Sequence, residues 1–577
     1  MPKHAQLAKP FPRLPWLAPG LAMLLAAGCA SVPGTPTNGE QAAALAQLEQ
    51  GQAREAAQRL EALAQASKGG ARNAALADAA FAWHEAGDDT RASSLAAQVD
   101  ARRVGGASRA RLSLFLAERA VANGQAGSAA AALLGDPGLL PPRLRARWQL
   151  AQAAAREAAG DAVGAASARA RADANLADQA QEDNRRAIER LLSTLDDRSL
   201  AAHAGALPAG DPLYNFAGRA LVRRGLPLPR TFDQAQAWDF SQRAPADADG
   251  YRPPRRLAVL LPLSGQMTQA AAPVRDGLLA GYYGETRQRP EIAFYDTAGT
   301  PAGAVAAYAK AVAEGSDFVV GPLGRDEVTA VYRESTGPVP GLALNRASVA
   351  PAPGQLMFSL APEDEALAAA DYLWARERRN VLVIAGTDDN ARRAAEAFSS
   401  RFGERGGSIA ASISVGERPG DVSAQLAQAG AADAVFLAVR GPQARALAPQ
   451  LARAGLSSRL RVATAQLLSG TGRPEEDAVL DGIIYPTEAW SSRGATGLPQ
   501  ASLAAASLPT ARGAAARLFA FGYDAWRISA YLERLATRAD GELRGATGDL
   551  RLDGFGSIAR QPAWGTFSGG QPVPVTR

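Results

Sequence analysis

Between residues 40 and about 230, apolar positions, most of them Ala and Leu, recur at spacings of three and four, the period of amphipathic helices. Four glycines interrupt this pattern at near-equal intervals: Gly51, Gly87, Gly124 and Gly160 are separated by 36, 37 and 36 residues. An Ala follows each at the same offset of five (Ala56, Ala92, Ala129 and Ala165), and two of the turns read Gly-Asp. A glycine that ends one helix and a small residue where the next helix comes close are what stacked antiparallel hairpins require. The helices are expected to continue through Arg185–Leu195 and Tyr214–Arg224.

This spacing resembles tetratricopeptide repeats, whose period is about 34 residues; an irregular α-solenoid of Ala-rich hairpins is the alternative reading. Either form presents an extended protein-binding or spacing surface rather than chemistry. After Pro227 and Pro229, the stretch Asp247–Pro254 is rich in Pro, Asp and Gly and reads as a boundary. Beyond it the period changes. Short apolar runs at Leu257–Leu263, Ile292–Tyr295, Phe318–Val320, Val339–Leu344, Val381–Ala385, Ile409–Val415, Ala434–Val439 and Arg461–Ala463 predict strands. Amphipathic stretches such as Ala302–Glu314 and Asp388–Arg405 lie between them, so the expectation is doubly wound parallel sheets. The segment is longer than one such sheet needs, which predicts two α/β lobes.

The first residues read as an address. Lys3, Lys9 and Arg13 precede a short apolar run from Trp16 to Ala27 that ends in Gly28-Cys29. The layout is that of a signal peptide, and the run is too short, with Pro19 inside it, for a membrane span of about 20 residues. The small residues before Cys29 resemble the bacterial lipoprotein signal, although Ala26 stands where that family usually has Leu. A simple secretory signal with an incidental Cys is the other reading. The resemblance implies lipidation of Cys29, the sole cysteine, and the absence of Asp after it points to the outer membrane, with the protein facing the periplasm. The expected organisation is a signal peptide at 1–28, a tether at 29–39, a helical domain at 40–240, a linker at 241–255 and an α/β domain at 256–577.

Composition narrows the chemistry. At 577 residues the chain exceeds a single hydrophobic core of about 250–300 residues. The formal charge of +5 falls to +2 without the first 28 residues, and no Lys/Arg block is present, which argues against nucleic acid. One Cys and three His, at 4, 84 and 203, exclude zinc fingers and iron–sulfur ligation, and no cofactor is expected. Past His203 there is neither His nor Cys, so Ser-His-Asp and Cys-His nucleophiles are impossible in the α/β domain. Gln65 and Ala307 stand three positions before Lys68 and Lys310, so the Ser-x-x-Lys of penicillin-binding enzymes is missing. Gly554-Phe-Gly-Ser-Ile-Ala559 matches a dinucleotide fingerprint by letters, but Pro562 follows at once, so a hairpin turn is expected.

Several motifs carry a wider resemblance: Leu260-Leu-Pro-Leu-Ser-Gly-Gln266, Phe294-Tyr-Asp-Thr297, Gly321-Pro-Leu-Gly324, Leu342-Ala-Leu-Asn345, Phe358-Ser-Leu-Ala-Pro-Glu-Asp-Glu-Ala366, Phe521-Gly-Tyr-Asp-Ala-Trp526 and Gly545-Ala-Thr-Gly-Asp-Leu550. They resemble the type I periplasmic-binding-protein fold and, more narrowly, the LpoA family of lipoprotein activators of class A penicillin-binding proteins. The resemblance implies a multidomain chain, an all-α TPR-like solenoid followed by a two-lobed type I periplasmic-binding-protein-like domain. It also implies a non-enzymatic role on a class A penicillin-binding protein, stimulating peptidoglycan transpeptidation. The rival is a ligand-binding or sensing lipoprotein for an amino acid or a cell-wall fragment. Independently of family, open α/β sheets bind ligands beyond the carboxyl ends of their strands. That rule marks Ser264, Gly265, Gln266, Gly321, Pro322, Leu323 and Asn345 as lining an interlobe cleft open to an unknown small ligand, with Trp490 and Asp524 as assisting groups. A plain Gly-Pro turn at Gly321-Pro322 is the alternative.

Overall fold

A computed structural model describes residues 39–233, 238–334 and 339–575. The expected signal peptide, the lipidated Cys29 and all but Gly39 of the tether lie outside the described residues. The chain divides into two compact units, one of residues 39–115 with 134–140, the other of 116–133 with 141–575.

The glycine repeat sets the helix ends. Gly51, Gly87, Gly124 and Gly160 all have φ between +73° and +83°, a region that penalises a side chain. A Cβ added at any of them would meet nothing within 4 Å, so conformation and not crowding demands glycine. At Gly87 the turn is a Schellman motif: Gly87 N–H donates to His84 O at 2.9 Å and Asp88 N–H to Trp83 O at 2.9 Å. Asp88 then caps the next helix by accepting from Arg91 N at 2.9 Å, and Asp161 does the same for Gly164 N at 2.8 Å. The four alanines at the offset of five are all fully buried at 0% exposure, as close helix approach requires.

In the first unit, helices Gly39–Glu49, Ala53–Ala66, Gly69–Glu85 and Asp89–Ala96 pack in antiparallel succession. A buried Asp78 ties them to the next helix, accepting from Gln41, Ser108 and both arms of Arg111.

The second unit holds the helices from Pro142 onward and the α/β layers. Strands β1 (Arg256–Leu261), β2 (Glu291–Asp296), β3 (Phe318–Val320), β4 (Gly341–Ala343) and β5 (Gln355–Met357) form a parallel sheet of order β2-β1-β3-β4-β5. Strands β6 (Asn380–Gly386), β7 (Ser408–Val415), β8 (Ala434–Ala438), β9 (Leu460–Ala463) and β10 (Ile484–Thr487) repeat the same winding as β7-β6-β8-β9-β10. Between them lie β11 (Leu543–Arg544), β12 (Asp549–Leu552) and β13 (Ile558–Gln561), a small antiparallel sheet, and β14 (Ala563–Ser568) and β15 (Gln571–Pro574) extend the second sheet. All eight strands expected from the apolar runs are present. The added strands β5 and β10–β15 are short or polar, and β14 and β15 pair antiparallel at an edge where no continuous apolar run is needed.

The sheet β1–β5 with its helices is lobe one and the sheet β6–β10 with β14 and β15 is lobe two, and two glycines let lobe one close. Helix Thr268–Gly284 crosses helix Ala515–Thr537 so tightly that a Cβ on Gly277 would lie 1.8 Å from Phe519 O, and one on Gly522 would lie 1.9 Å from Val274 O. The second helix kinks at Tyr531, and the chain before β1 docks there. Arg252 N–H donates to Ala530 O at 2.7 Å, Arg243 to Ser529 O at 3.1 Å, and Tyr531 to Asp249 at 2.9 Å. Tyr251 is 3% exposed. The stretch expected as a linker, 241–255, is therefore bound along lobe one, and the Pro/Asp/Gly composition reflects turns rather than mobility.

The helices before it are bound to the α/β layers as well. The hairpin turn between β12 and β13 carries Gly554-Phe555-Gly556 and inserts Phe555 against Phe216, with ring centroids 4.7 Å apart, and beneath the Arg219 guanidinium at 4.1 Å. A Cβ on Gly554 would lie 2.4 Å from the Phe232 ring and one on Gly556 2.6 Å from Pro351, so the fingerprint-like glycines serve close packing. Ser193 Oγ donates to Glu404 O at 2.9 Å. Glu189, on helix Asp178–Ser193, is pushed up by burial, but Arg219 and Arg223 outweigh this and hold it at about 2.

Candidate functional site

Both parallel sheets have a topological switch point where the winding reverses, between β1 and β3 and between β6 and β8. At the first, Ser264, Gly265 and Gln266 are exposed beyond β1. Asp296, the last residue of β2, organises this loop: its carboxylate accepts from Ser264 Oγ at 2.6 Å, Leu263 N at 2.9 Å, Ser264 N at 3.2 Å and Ala298 N at 2.8 Å. The Ser264 bond and these amides hold Asp296 below the usual carboxylate range. Gly265 has φ +81°, and a Cβ there would lie 2.9 Å from Ala298 O.

After β3, Gly321, Pro322 and Leu323 are buried, and the Gly321–Pro322 peptide is cis. A Cβ on Gly321 would lie 2.1 Å from Leu260 O, which explains the glycine by contact with β1. Half-buried Asn345, beyond β4, donates to Leu323 O at 2.9 Å and so ties these loops together. The geometry thus joins Gly321–Leu323 with Asn345 and leaves Ser264–Gln266 as the exposed lip.

Trp490 and Asp524 do not belong to that lip. Trp490 is 2% exposed, stacks on Phe519 with centroids 5.2 Å apart and donates its indole N–H to Pro499 O at 2.8 Å. Asp524 is 0% exposed and accepts from Ala546 N at 2.6 Å, Thr547 N at 2.7 Å and Thr547 Oγ1 at 2.6 Å. Burial raises its pKa to about 6 despite these three donors. The cause of both differences is the same: an aromatic ring and a carboxylate next to glycines suit a packed interior as well as a ligand site, and spacing does not separate the two. The motifs Phe521–Trp526 and Gly545–Leu550 interlock through Asp524, and a Cβ on Gly545 would lie 2.7 Å from that carboxylate.

On the second lobe the switch-point loops carry Asp388, which caps helix Asp389–Glu404 by accepting from Ala391 N at 3.1 Å, and Arg440, which stands 3.8 Å from it. Asp389 pairs with Arg392 and Arg393. Asp388 and Asp389 are engaged in capping and pairing, and Asp296 and Asp524 in accepting loop amides and a hydroxyl.

A cluster that the sequence reading did not single out sits where the chain crosses between the sheets. Glu365, 3% exposed on helix Pro362–Trp374, accepts from Ala465 N beyond β9 at 2.9 Å and pairs with Arg517, on helix Ala515–Thr537 of lobe one. Arg517 also faces Glu488, after β10, at 3.6 Å, and Arg560 of β13 lies 3.7 Å from Glu365. Burial alone would lower the Arg517 pKa, but Glu365 and Glu488 raise it overall. This cluster joins elements of both lobes at the hinge, the junction where the chain crosses between them, and only the fold assembles it, because its members span residues 365 to 560.

Comparison with known proteins adds a family. The profile of the LppC putative lipoproteins matches residues 251–570. Among curated proteins, "Penicillin-binding protein activator LpoA" of Photobacterium profundum is 25% identical over 365 residues, covering 55% of this chain and 57% of that protein. The protein of the same name from Klebsiella pneumoniae is 27% identical over 320 residues, 50% of this chain and 45% of its own length. The chain thus spans about half the length of the curated relatives it matches. A crystal structure of Haemophilus influenzae LpoA superposes with a TM-score of 0.52 at 19% identity, covering 94% of this chain and 99% of that one, a likeness of fold.

Proposed function

We propose that this chain, which belongs to the LppC putative-lipoprotein family, is a non-enzymatic lipoprotein that binds a class A penicillin-binding protein and stimulates its peptidoglycan transpeptidase activity. The observation that carries the reading is the family match across 251–570 together with relatives named as penicillin-binding protein activators. With no His or Cys after His203, Ser-His and Cys-His nucleophile pairs are missing from the α/β domain, which agrees with action through binding. An acylated Cys29 at the inner face of the outer membrane would tether it, with the helices supplying reach and the α/β lobes the contact. Ser264, Gly265, Gln266, Gly321, Pro322, Leu323 and Asn345 are proposed as the lip of the interlobe cleft.

Activation without chemistry works by differential affinity: the activator binds the working conformation of the synthase better than its resting one. A tenfold rate gain by population shift needs a preference of about 1.4 kcal/mol, a modest demand on a transient interface. The test is cross-linked product formed from lipid-linked precursor by a class A synthase with and without the chain at saturation. Increased cross-linking with a detectable complex is expected; unchanged product together with no complex refutes the reading.

A further inference from the structure

We propose that the cavity where helix Tyr214–Arg223 meets helix Pro362–Trp374 and the β12–β13 hairpin is a binding site for one small oxyanion, of the carboxylate or phosphate class. The cavity measures about 90 Å³ and is lined by four guanidinium-bearing residues, Arg223, Arg401, Arg551 and Arg560. A single water needs roughly 10–15 Å³ on this measure, so the space admits several waters or one oxyanion.

Three of the arginines are committed elsewhere. Arg223 pairs with Glu189 at 2.9 Å, Arg401 with Asp371 at 3.1 Å, and Arg551 with Glu542 at 2.5 Å. The acids on the wall are committed too: Asp364 to Arg346, Asp371 to Arg401 and Arg405, Asp549 to Arg493. Arg560 differs. It is a charged group with a side chain 4% exposed, yet among the described residues its one side-chain hydrogen bond runs from Nη1 to Thr547 O at 3.2 Å. Among the described residues its Nε finds no acceptor, and the carboxylate it faces, Glu365 at 3.7 Å, already takes Arg517 and Ala465 N.

A buried guanidinium whose Nε has no acceptor, and whose facing carboxylate at 3.7 Å is beyond hydrogen-bond reach, can still take one, and the planar fork matches the two oxygens of a carboxylate or phosphate. Burial and the neighbouring Arg517 act together to lower the Arg560 pKa, which an added anion would offset. A bound oxyanion would touch helical, lobe-two and hinge-sheet residues at once and would stiffen that junction.

The experiment titrates the full chain with inorganic phosphate and, separately, with acetate, against sodium chloride at matched ionic strength, following heat of binding and the thermal midpoint. Saturable binding of either probe, with a raised midpoint, is expected. Which probe binds decides between a phosphate and a carboxylate source. Arg560→Lys keeps the charge but loses the fork, and Ala368→Leu fills the cavity from a wall position without touching any charge; each should weaken binding at least tenfold. A response equal to that in chloride, or binding unchanged in both variants, overturns the site and leaves a water-filled junction. Circular dichroism of each variant checks that it is folded, and if Ala368→Leu is not, Arg560→Lys alone decides.

Discussion

The hydroxyl of Ser193 donates a 2.9 Å hydrogen bond to the backbone carbonyl of Glu404, linking the last turn of one helix to the end of another 211 residues later. With Phe555 inserted against Phe216 and Arg219, this makes the final helices before residue 230 part of the α/β unit. A fragment of residues 141–577 should therefore melt higher than one of 256–577, and proteases should spare the bonds between Gln242 and Arg256. Thermal unfolding of both fragments and limited proteolysis of the full chain check this; equal midpoints would contradict it.

Gly522→Ala should be among the most damaging single changes. The new Cβ would lie 1.9 Å from Val274 O, a backbone atom that cannot swing away, so two core helices must separate. Overpacking costs about 1–3 kcal/mol in an adaptable core, and here the loss should reach the upper end or beyond. Urea unfolding measures it, and a loss below about 0.5 kcal/mol, the size of an ordinary surface change, would refute the crossing.

Asp524 sets a pH dependence with a definite sign. Its pKa is raised by burial from 3.8 to about 6, so the folded state holds its proton more tightly than the unfolded state. The stability it contributes is full below pH 3.8 and is lost as pH rises through 6, with a span of about 3 kcal/mol. Asp524→Asn cannot titrate, so the advantage of the native residue over Asn should shrink between pH 4 and pH 6.5. A constant difference across that range would remove the assignment.

Glu365→Gln should loosen the hinge. It leaves Arg517 and Arg560 facing an uncharged amide, and breaking a buried ion pair costs about 3–5 kcal/mol. Stability should fall, and small-angle scattering should report a wider spread of lobe angles. Unchanged scattering at normal stability would mean that the cluster does not hold the two lobes together.

Cys29→Ser tests the proposed anchor. The native chain should carry acyl groups on Cys29 as its mature N-terminus, since each buried methylene adds about 0.8 kcal/mol to membrane affinity and one chain alone holds marginally. The Ser variant should appear as uncleaved or released protein, and mass spectrometry of the mature N-terminus decides the matter.

Much of the architecture was legible in the chain because it rests on local physics. A positive φ at Gly87 and Gly160, a small residue five positions on, and apolar runs at Leu257–Leu261 or Val381–Ala385 are demands that neighbours in sequence impose. The switch-point loops at Ser264 and Gly321 followed from the same source, since strand order constrains where loops emerge.

What only the tertiary structure decided depends on partners distant along the chain. Trp490 and Asp524 carry the residue types of a ligand site, yet Phe519, Ala546 and Thr547 enclose them in the interior. Glu365, Arg517 and Arg560 show no pattern in one dimension and meet only when two helices and a hairpin converge at the hinge. The stretch 241–255 has the composition of a linker, but the kink at Tyr531 leaves the carbonyls of Ser529 and Ala530 for it to bind. Burial and charge pairing are properties of assembled surfaces, so composition alone could not assign them.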